Sequence, residues 1–341
     1  MQAPLINKVV APSESPHNCT VHSCVWERNH PFKATGHLQP MGLQGGIANI
    51  SVLPCDLGKV SAKQTSRAFW ADHLAVKRPA LVRGCPRVAD EWFDDAKLEA
   101  AGKSWKVIVE LQNRITSTHR HPFYVDWVFS KYISKYMKRE YHNKLYMITE
   151  IPEHSLMHSW IPSEPLLACP EMAHSRVDAR LWLSSGNTTS SLHFDTHDVL
   201  NTQIDGVKTW YLYDPNYVNA TYMEYAARYG LSPINTDRVD LIRFPAFSRA
   251  NAVRVEMRPG DRLILPALWW HVVHTHPGRN LMVTHELEYK INIGMPGFTM
   301  SSAFWNSVAV QKEKRVRHIR CTSADIDAHA GWRSPDFDPA A

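Results

Sequence analysis

Two residues with side chains that commonly bind metals lie close together in the stretch from Ser190 to Pro215, SSLHFDTHDVLNTQIDGVKTWYLYDP. His193 and Asp195 are separated by one residue, and side chains alternate between the two faces of a β-strand, so both are expected on one face. A third ligand is available in PGDRLILPALWWHVVHTH, where His271 follows two tryptophans. We expect antiparallel strands on opposite sides of a small barrel to bring His271 to the first two. Two histidines and one carboxylate form the ligand set of non-haem Fe(II) oxygenases.

A lysine after an Asp-Gly turn adds a second chemical element. Lys208 begins the strand KTWYLY, and Trp210 and Leu212 share its face. A buried ammonium group needs an anionic partner, so an inward-facing Lys208 predicts an anionic ligand, here the distal carboxylate of 2-oxoglutarate. Taken singly, an H-x-D motif is usually incidental and such a lysine usually faces solvent. The three signals together, in order and on strands, are far more specific.

The segments LHFD, TQIDGVKTWYLYDP and GDRLILPALWWHVV resemble the cupin-like JmjC family of Fe(II)/2-oxoglutarate-dependent oxygenases. The resemblance extends from Phe69, in FWADHLAVKRPALVRG, to Tyr289. It implies an enzyme that uses Fe(II), 2-oxoglutarate and O₂ and that most commonly hydroxylates a protein side chain. It also implies residue roles. The catalytic iron ligands are His193, Asp195 and His271, and the cosubstrate-binding residues are Lys208, Ser190 and Tyr146.

Two positions depart from the pattern of the family, and one histidine competes for a role. Val199 stands six residues after the first histidine, where relatives often have asparagine, and His285 corresponds most nearly to a late asparagine. His197 follows Asp195 by two residues, so it is either a rival ligand or a neighbour of the ligands. The departures concern the cosubstrate and substrate, and they leave the three predicted metal ligands intact.

The elements that must position these residues are mostly short strands. From Asp178 onward, apolar or alternating runs of four to eight residues separated by turns predict an antiparallel barrel or sandwich. The predicted fold class is mainly β with α elaborations, around a double-stranded β-helix (jelly-roll/cupin) core. We divide the chain into an extended arm, an α/β elaboration of the same domain, the barrel core, and a C-terminal helix and tail: 1–50, 51–177, 178–295 and 296–341.

The remaining patterns predict the surroundings of the core. Helices are predicted over Ser61–Val76, Asp90–Gly102 and Val125–Tyr141, and an insertion over 216–251 is expected to shape the site. The six cysteines are scattered and indicate no framework. Four tryptophans are predicted to lie in the core, the last two being candidates to line the site: Trp182, Trp210, Trp269 and Trp270.

Composition limits the partners and the compartment. Hydrophobic residues make up 44% and charged residues 21% of the 341 residues, which predicts a soluble folded protein. The net charge of +5 and one basic run, Lys312–Arg320, are too mild to indicate nucleic-acid binding. No run of about 18 apolar residues predicts a membrane span. The absence of a visible signal peptide favours the cytoplasm or nucleus. Four N-x-S/T sequons keep the secretory lumen as the alternative.

Several functional alternatives stay open. The expected partner is a protein or peptide substrate, and a helix over Ala303–Ile319 could mediate a homodimer, by analogy with relatives. N-methyl-lysine or N-methyl-arginine demethylation uses the same chemistry on a different carbon. A metal-bound cupin with isomerase or lyase chemistry would not need Lys208. A non-catalytic binding module is the last alternative, and an intact ligand set argues against it.

Overall fold

The computed structural model describes parts of the chain between residues 47 and 287. The described stretches are 47–48, 50–55, 73–74, 77–85, 88–111, 123–142, 144–162, 164–167, 176–195, 197–215 and 250–287, with isolated positions between 232 and 247. Most of the predicted arm, of the helix over Ser61–Val76 and of the insertion over 216–251 lies outside them. The C-terminal helix predicted over Ala303–Ile319 lies outside them entirely.

The described residues form thirteen strands and three α-helices. The strands are β1 (Ile47–Ala48), β2 (Ser51–Pro54), β3 (Ala80–Arg83), β4 (Lys106–Leu111), β5 (Phe123–Val128), β6 (Leu145–Glu150), β7 (Arg176–Ser184), β8 (Asp198–Asp205), β9 (Lys208–Tyr213), β10 (Ala252–Met257), β11 (Arg262–Leu265), β12 (Trp270–Thr275) and β13 (Asn280–Leu287). The helices are α1 (Asp95–Gly102), α2 (Phe129–Tyr136) and α3 (Leu156–Ser159). None of these helices is long and apolar enough to cross a membrane.

The strands form two sheets. One has four strands in the order β1-β10-β9-β12, and the other has nine in the order β2-β3-β11-β8-β13-β7-β6-β4-β5. Pairing is antiparallel except between β1 and β10 and between β2 and β3. The prediction of a mainly β protein with a jelly-roll core is confirmed. Strands from the proposed elaboration and core share the large sheet, and the four segment boundaries stay a prediction.

Two central strands are buried along almost their whole length. β8 lies between β11 and β13, and only its last residue is partly exposed, whereas every residue of β9 is buried. A strand that is covered on both faces normally carries an apolar run. The polar side chains on these strands, Asn201 and Lys208 among them, are therefore exceptions that a site can explain.

Two helix predictions differ from the structure. The segment predicted as helix over Val125–Tyr141 begins as β5, and helical geometry starts only at Phe129. Val125 pairs in register with Val109 of β4, so sheet pairing of β-branched residues overrides the local helical pattern. The helix predicted over Asp90–Gly102 breaks at Asp94. The carboxylate of Asp94 accepts hydrogen bonds from the backbone N–H groups of Ala96 and Lys97 and so starts α1 anew.

A disulfide joins Cys55 to Cys85, with their Cα atoms 4.8 Å apart. The pair was missed from the sequence because the two cysteines are 30 residues apart and belong to no spacing motif. The parallel strands β2 and β3 end side by side, with Pro54 opposite Arg83, so the residues that follow them meet. The bond ties β2, the edge strand of the large sheet, to its neighbour.

Candidate active site

The three predicted metal ligands lie on two chain segments that pair directly. His193 and His271 are opposite each other in an antiparallel bridge, and each backbone N–H donates to the carbonyl oxygen of the other at 3.1 and 2.7 Å. Their ring centroids are 4.1 Å apart. The expectation of two strands on opposite sides of a barrel was wrong on this point, because the two histidines are immediate cross-strand neighbours. Direct pairing fixes their separation more tightly than convergence across a barrel would.

Both imidazole rings are oriented by backbone carbonyl groups. Nδ1 of His193 lies 2.7 Å from the carbonyl oxygen of Ser191, and Nδ1 of His271 lies 3.0 Å from that of Trp269. A carbonyl oxygen only accepts, so each Nδ1 carries the proton and each Nε2 presents a lone pair. The same pattern, with the other ring nitrogen donating to a carbonyl, is usual for metal-binding histidines.

A tight turn before β12 connects Asp195 to His271. The backbone N–H of Leu268 donates to the carbonyl oxygen of Asp195 at 2.9 Å, and Leu268 adopts a positive φ of 73° to do so. The neighbouring N–H of Ala267 donates to the buried carboxylate of Asp198, which also pairs with Lys77 at 3.2 Å. The segments that carry the second and third ligands are thus held together by the hydrogen bonds of Leu268 to Asp195 and of Ala267 to Asp198. The Asp198 carboxylate also ties Lys77 to this turn.

The donor set fits a divalent transition metal. One potential ligand atom from each of His193, Asp195 and His271 lies within 4.8 Å of the others, and among the described residues this is the group that could hold a metal ion, here called the candidate metal-binding group. The Asp195 carboxylate is about half exposed, whereas His271 is buried. Burial first, and then the charge of His193, lower the pKa of His271 to about 4 against the opposing effect of Asp195. His271 is therefore neutral near pH 7, as a metal ligand must be.

Lys208 is buried in the same cavity. Its side chain is 1% exposed, and burial lowers its pKa from 10.5 to about 7. Nζ donates to the hydroxyl oxygen of Tyr146 at 3.3 Å, and no carboxylate among the described residues forms an ion pair with it. Burial, with a further contribution from the charge of Glu110, raises the pKa of Tyr146 far above its usual value, so the phenol keeps its proton. The two groups present donors and no negative charge.

Ser190 connects the first ligand segment to β12. Its backbone N–H donates to the carbonyl oxygen of Val273 at 3.0 Å, and its Oγ accepts from the N–H of Val273 at 2.9 Å. The hydroxyl proton of Ser190 remains available to a ligand, because Oγ is the acceptor in that contact. Ser190 faces the same space as Lys208 and the histidines.

One cavity of about 230 Å³ collects all six predicted site residues. It lies between the two sheets. His271 comes from β12, and His193 and Asp195 come from the segment 189–195. Lys208 comes from β9 and Tyr146 from β6. The roles of these residues stay predictions, but all six line one cavity. They are His193, Asp195, His271, Lys208, Ser190 and Tyr146.

The sequence analysis did not predict several of the residues that line the cavity, and it proposed for the lining a tryptophan that lies elsewhere. Trp182 and Trp210 line it, and the ring of Trp210 lies 5.6 Å from that of His271. Trp269 does not line it and instead donates its indole N–H to the carbonyl oxygen of Lys77. Strand alternation had already placed Trp210 on the face of Lys208, but the sequence did not identify it as a residue that lines the cavity. Further residues that line the cavity carry polar or charged groups, namely Glu110, Arg180, Asn201, Thr284 and Glu286.

The two positions that depart from the family pattern differ in their placement. Val199 lines the cavity, but His285 does not, since its neighbours Thr284 and Glu286 on β13 do so. Thr284 and Glu286, not His285, are therefore the residues at that end of the strand that face the cavity. His197 is not part of the candidate metal-binding group and lies 3.9 Å from the Glu286 carboxylate. Burial raises the pKa of Glu286 to about 7, and Arg180, at 3.1 Å, opposes this.

The jelly-roll core places the chain among the cupin-like proteins, and the His-Asp-His group gives it a candidate metal site. The sequence model of the family described as "Cupin-like domain" matches residues 66–286, which is more than half of the chain. The chain belongs to the JmjC-type cupin-like family.

Individual relatives match shorter segments. HSPB1-associated protein 1 homolog of Danio rerio is 33% identical over 102 residues, covering 29% of this chain and 23% of the relative. Lysine-specific demethylase 8 of Danio rerio is 33% identical over 100 residues, covering 29% and 25%. The human bifunctional peptidase and (3S)-lysyl hydroxylase JMJD7 is 30% identical over 118 residues, covering 28% and 37%. The chain thus spans well under two thirds of the length of these relatives.

Proposed function

We propose that this chain is an Fe(II)- and 2-oxoglutarate-dependent dioxygenase that hydroxylates a protein side chain. The observation that carries the proposal is the presence, in one cavity, of a His-Asp-His group and a buried lysine without a carboxylate partner among the described residues. A metal-binding cupin with isomerase or lyase chemistry needs the first feature and has no use for the second. An anionic ligand that also contacts the metal explains both.

The residues present fit the iron and its cosubstrate. Two imidazoles and one carboxylate leave open coordination positions, which suit a bidentate oxo-acid and dioxygen. Bound iron would supply the activation of dioxygen that hydroxylation of a C–H bond requires. The protein would do the rest: Lys208 neutralises the distal carboxylate, Tyr146 and Ser190 donate hydrogen bonds, and the apolar part of the cavity lining excludes water.

The substrate would approach from the side of Asp195. Asp195 is the exposed member of the group, with about half of its side chain accessible, whereas His271 is at the buried side. A protein substrate agrees with the names of relatives, one called a lysyl hydroxylase and another a lysine-specific demethylase. N-methyl demethylation is the second candidate, because the same oxidation of a methyl carbon would use the same site. We also propose a homodimer through the 303–319 segment and a cytoplasmic or nuclear location.

Turnover of 2-oxoglutarate tests the proposal. Fe(II)-loaded full-length chain, supplied with 2-oxoglutarate and oxygen, should form succinate even without a substrate, and a peptide library should yield products heavier by one oxygen atom. The His271→Ala variant is the matched control and should form none. The absence of succinate, together with no rise in melting temperature on adding 2-oxoglutarate and metal, would refute the proposal. Formaldehyde in place of an oxygenated peptide would favour demethylation.

A further inference from the structure

Three buried N–H donors around the cavity have no hydrogen-bond partner among the described residues. They are Nδ2 of Asn201 and the indole Nε1 of Trp182 and Trp210. A buried donor without a partner costs about 1–3 kcal/mol, so native structures rarely leave one. Three of them around one cavity, beside the ammonium of Lys208, indicate a ligand that supplies acceptors at several points.

Asn201 is the most sharply oriented of the three. Its side chain is 2% exposed, and the hydroxyl of Thr284 donates to its Oδ1 at 2.6 Å. The two residues are directly opposite in the pairing of β8 with β13, which fixes this contact. Because Oδ1 already accepts from Thr284, Nδ2 is the polar atom of this side chain that lacks a partner.

The position of Asn201 relates it to the departure at Val199. Both side chains line the cavity, since they lie two residues apart on β8 and so share a face. Asn201 therefore supplies an amide group two residues after Val199, on the same face of the strand, whereas the Val199 side chain has no donor. Trp210 lies across the cavity on the other sheet, on the same strand face as Lys208 and next to His271. Asn201 and Trp210 thus line the cavity from opposite sheets.

We propose that Asn201 and Trp210 bind the dicarboxylate cosubstrate directly, each donating one N–H to a carboxylate or keto oxygen of that ligand. This inference rests on the proposed function and adds two cosubstrate-binding residues to it. Thr284 is a positioning residue, since it holds the Asn201 amide with its nitrogen toward the ligand. Asn201 and Trp210 then meet the ligand as donors, so replacing the amide nitrogen of Asn201 by an acceptor should repel the ligand.

Affinity for 2-oxoglutarate, measured by calorimetry on Mn(II)-loaded full-length protein, tests the inference without turnover. Asn201→Leu should weaken binding roughly 10–100-fold, the loss expected for a hydrogen bond to a charged group. Asn201→Asp, which keeps the shape and the acceptor for Thr284, should weaken it further. Trp210→Phe keeps the ring and removes only the N–H, and should weaken binding about tenfold. Thr284→Val should weaken it less than Asn201→Leu does.

The control is Leu200→Met, on the same strand but packed in an apolar cluster away from the cavity, and it should leave affinity unchanged. Manganese content and melting temperature show whether each variant is folded and loaded. If wild type binds 2-oxoglutarate and both Asn201→Asp and Trp210→Phe bind it equally well, the inference is wrong and the proposed function stands. If metal-loaded wild type does not bind 2-oxoglutarate, both are overturned.

Discussion

Replacing Lys208 by methionine removes a buried charge and keeps an unbranched side chain of similar length. The ammonium group is 1% exposed, and burial lowers its pKa from 10.5 to about 7. That difference means that burial disfavours the charged form by roughly 5 kcal/mol. The wild-type protein tolerates this cost in its unliganded state, and a bound carboxylate would offset it.

The unliganded proteins should therefore differ in stability in a pH-dependent way. Below pH 7 Lys208 is charged in both the folded and the unfolded state, so the full desolvation cost opposes folding. Between about pH 7 and 10.5 the unfolded chain binds more protons than the folded one, and the stability contribution of this group rises with pH. Lys208→Met should thus be more stable than wild type at pH 6, by up to several kcal/mol in urea unfolding. The gap should close as the pH approaches 10.

Ligand binding should change in the opposite sense. Without the ammonium group, the distal carboxylate of 2-oxoglutarate is buried without a partner, a loss of about 3 kcal/mol or more, or roughly a hundredfold in affinity. In wild type, binding above pH 7 requires Lys208 to take up a proton, so affinity should fall by up to about tenfold for each pH unit. The affinity of Lys208→Met should be independent of pH over the same range.

Calorimetric titration of the Mn(II)-loaded proteins with 2-oxoglutarate, from about pH 6.5 to 9, measures both effects. Lys106→Met is the control, since Lys106 is an exposed strand lysine and should change neither quantity. If Lys208→Met binds 2-oxoglutarate with wild-type affinity, or if wild-type affinity does not vary with pH, the reasoning from the buried charge is refuted.

Two further predictions concern the metal and the turn before Lys208. His193→Ala should reduce the iron or manganese bound per chain to near zero in metal analysis while the protein remains folded, and retention of wild-type metal content would contradict the assigned ligands. Gly206→Ala should lower the free energy of unfolding by more than about 2 kcal/mol, because Gly206 has a φ of 73° and a Cβ there would lie 2.5 Å from the carbonyl oxygen of Arg279. Gly84→Ala is its control. Gly84 has a φ of 78°, and a Cβ there would have no atom within 4 Å, so Gly84→Ala should lower the free energy of unfolding by only about 1 kcal/mol in urea. If both substitutions lower it by the same amount, the predicted collision at Gly206 does not contribute.

Local patterns predicted much of the β core. The strands that carry the candidate site, KTWYLY and WWHVVHT among them, alternate or run apolar between turn residues, and these signals are short-range. The pattern failed at Val125–Val128, which were predicted to begin a helix but form the last part of β5. Pairing with β4 decides that segment, and no feature within the segment itself reports its partner.

The candidate site divides in the same way. The H-x-D spacing, the W-W-H segment and the lysine after Asp-Gly are local, and they identified four of the six residues: His193, Asp195, His271 and Lys208. Ser190 and Tyr146 came only from the resemblance. Asn201 and the cavity side of Trp182 were missed, because each is an ordinary residue of a strand whose neighbours are unknown from the sequence. The disulfide between Cys55 and Cys85 was missed for the same reason.

The sequence by itself determined the donor types and their order: two histidines and an aspartate for a metal, and a lysine for an anion. Side-chain chemistry and strand alternation are properties of a few consecutive residues, so they can be read without a fold. The tertiary structure decided that His193 and His271 pair directly, that Lys208 is buried without a carboxylate partner among the described residues, and that Asn201 faces the same cavity. Those facts depend on which strands become neighbours, and burial and pKa follow from that packing.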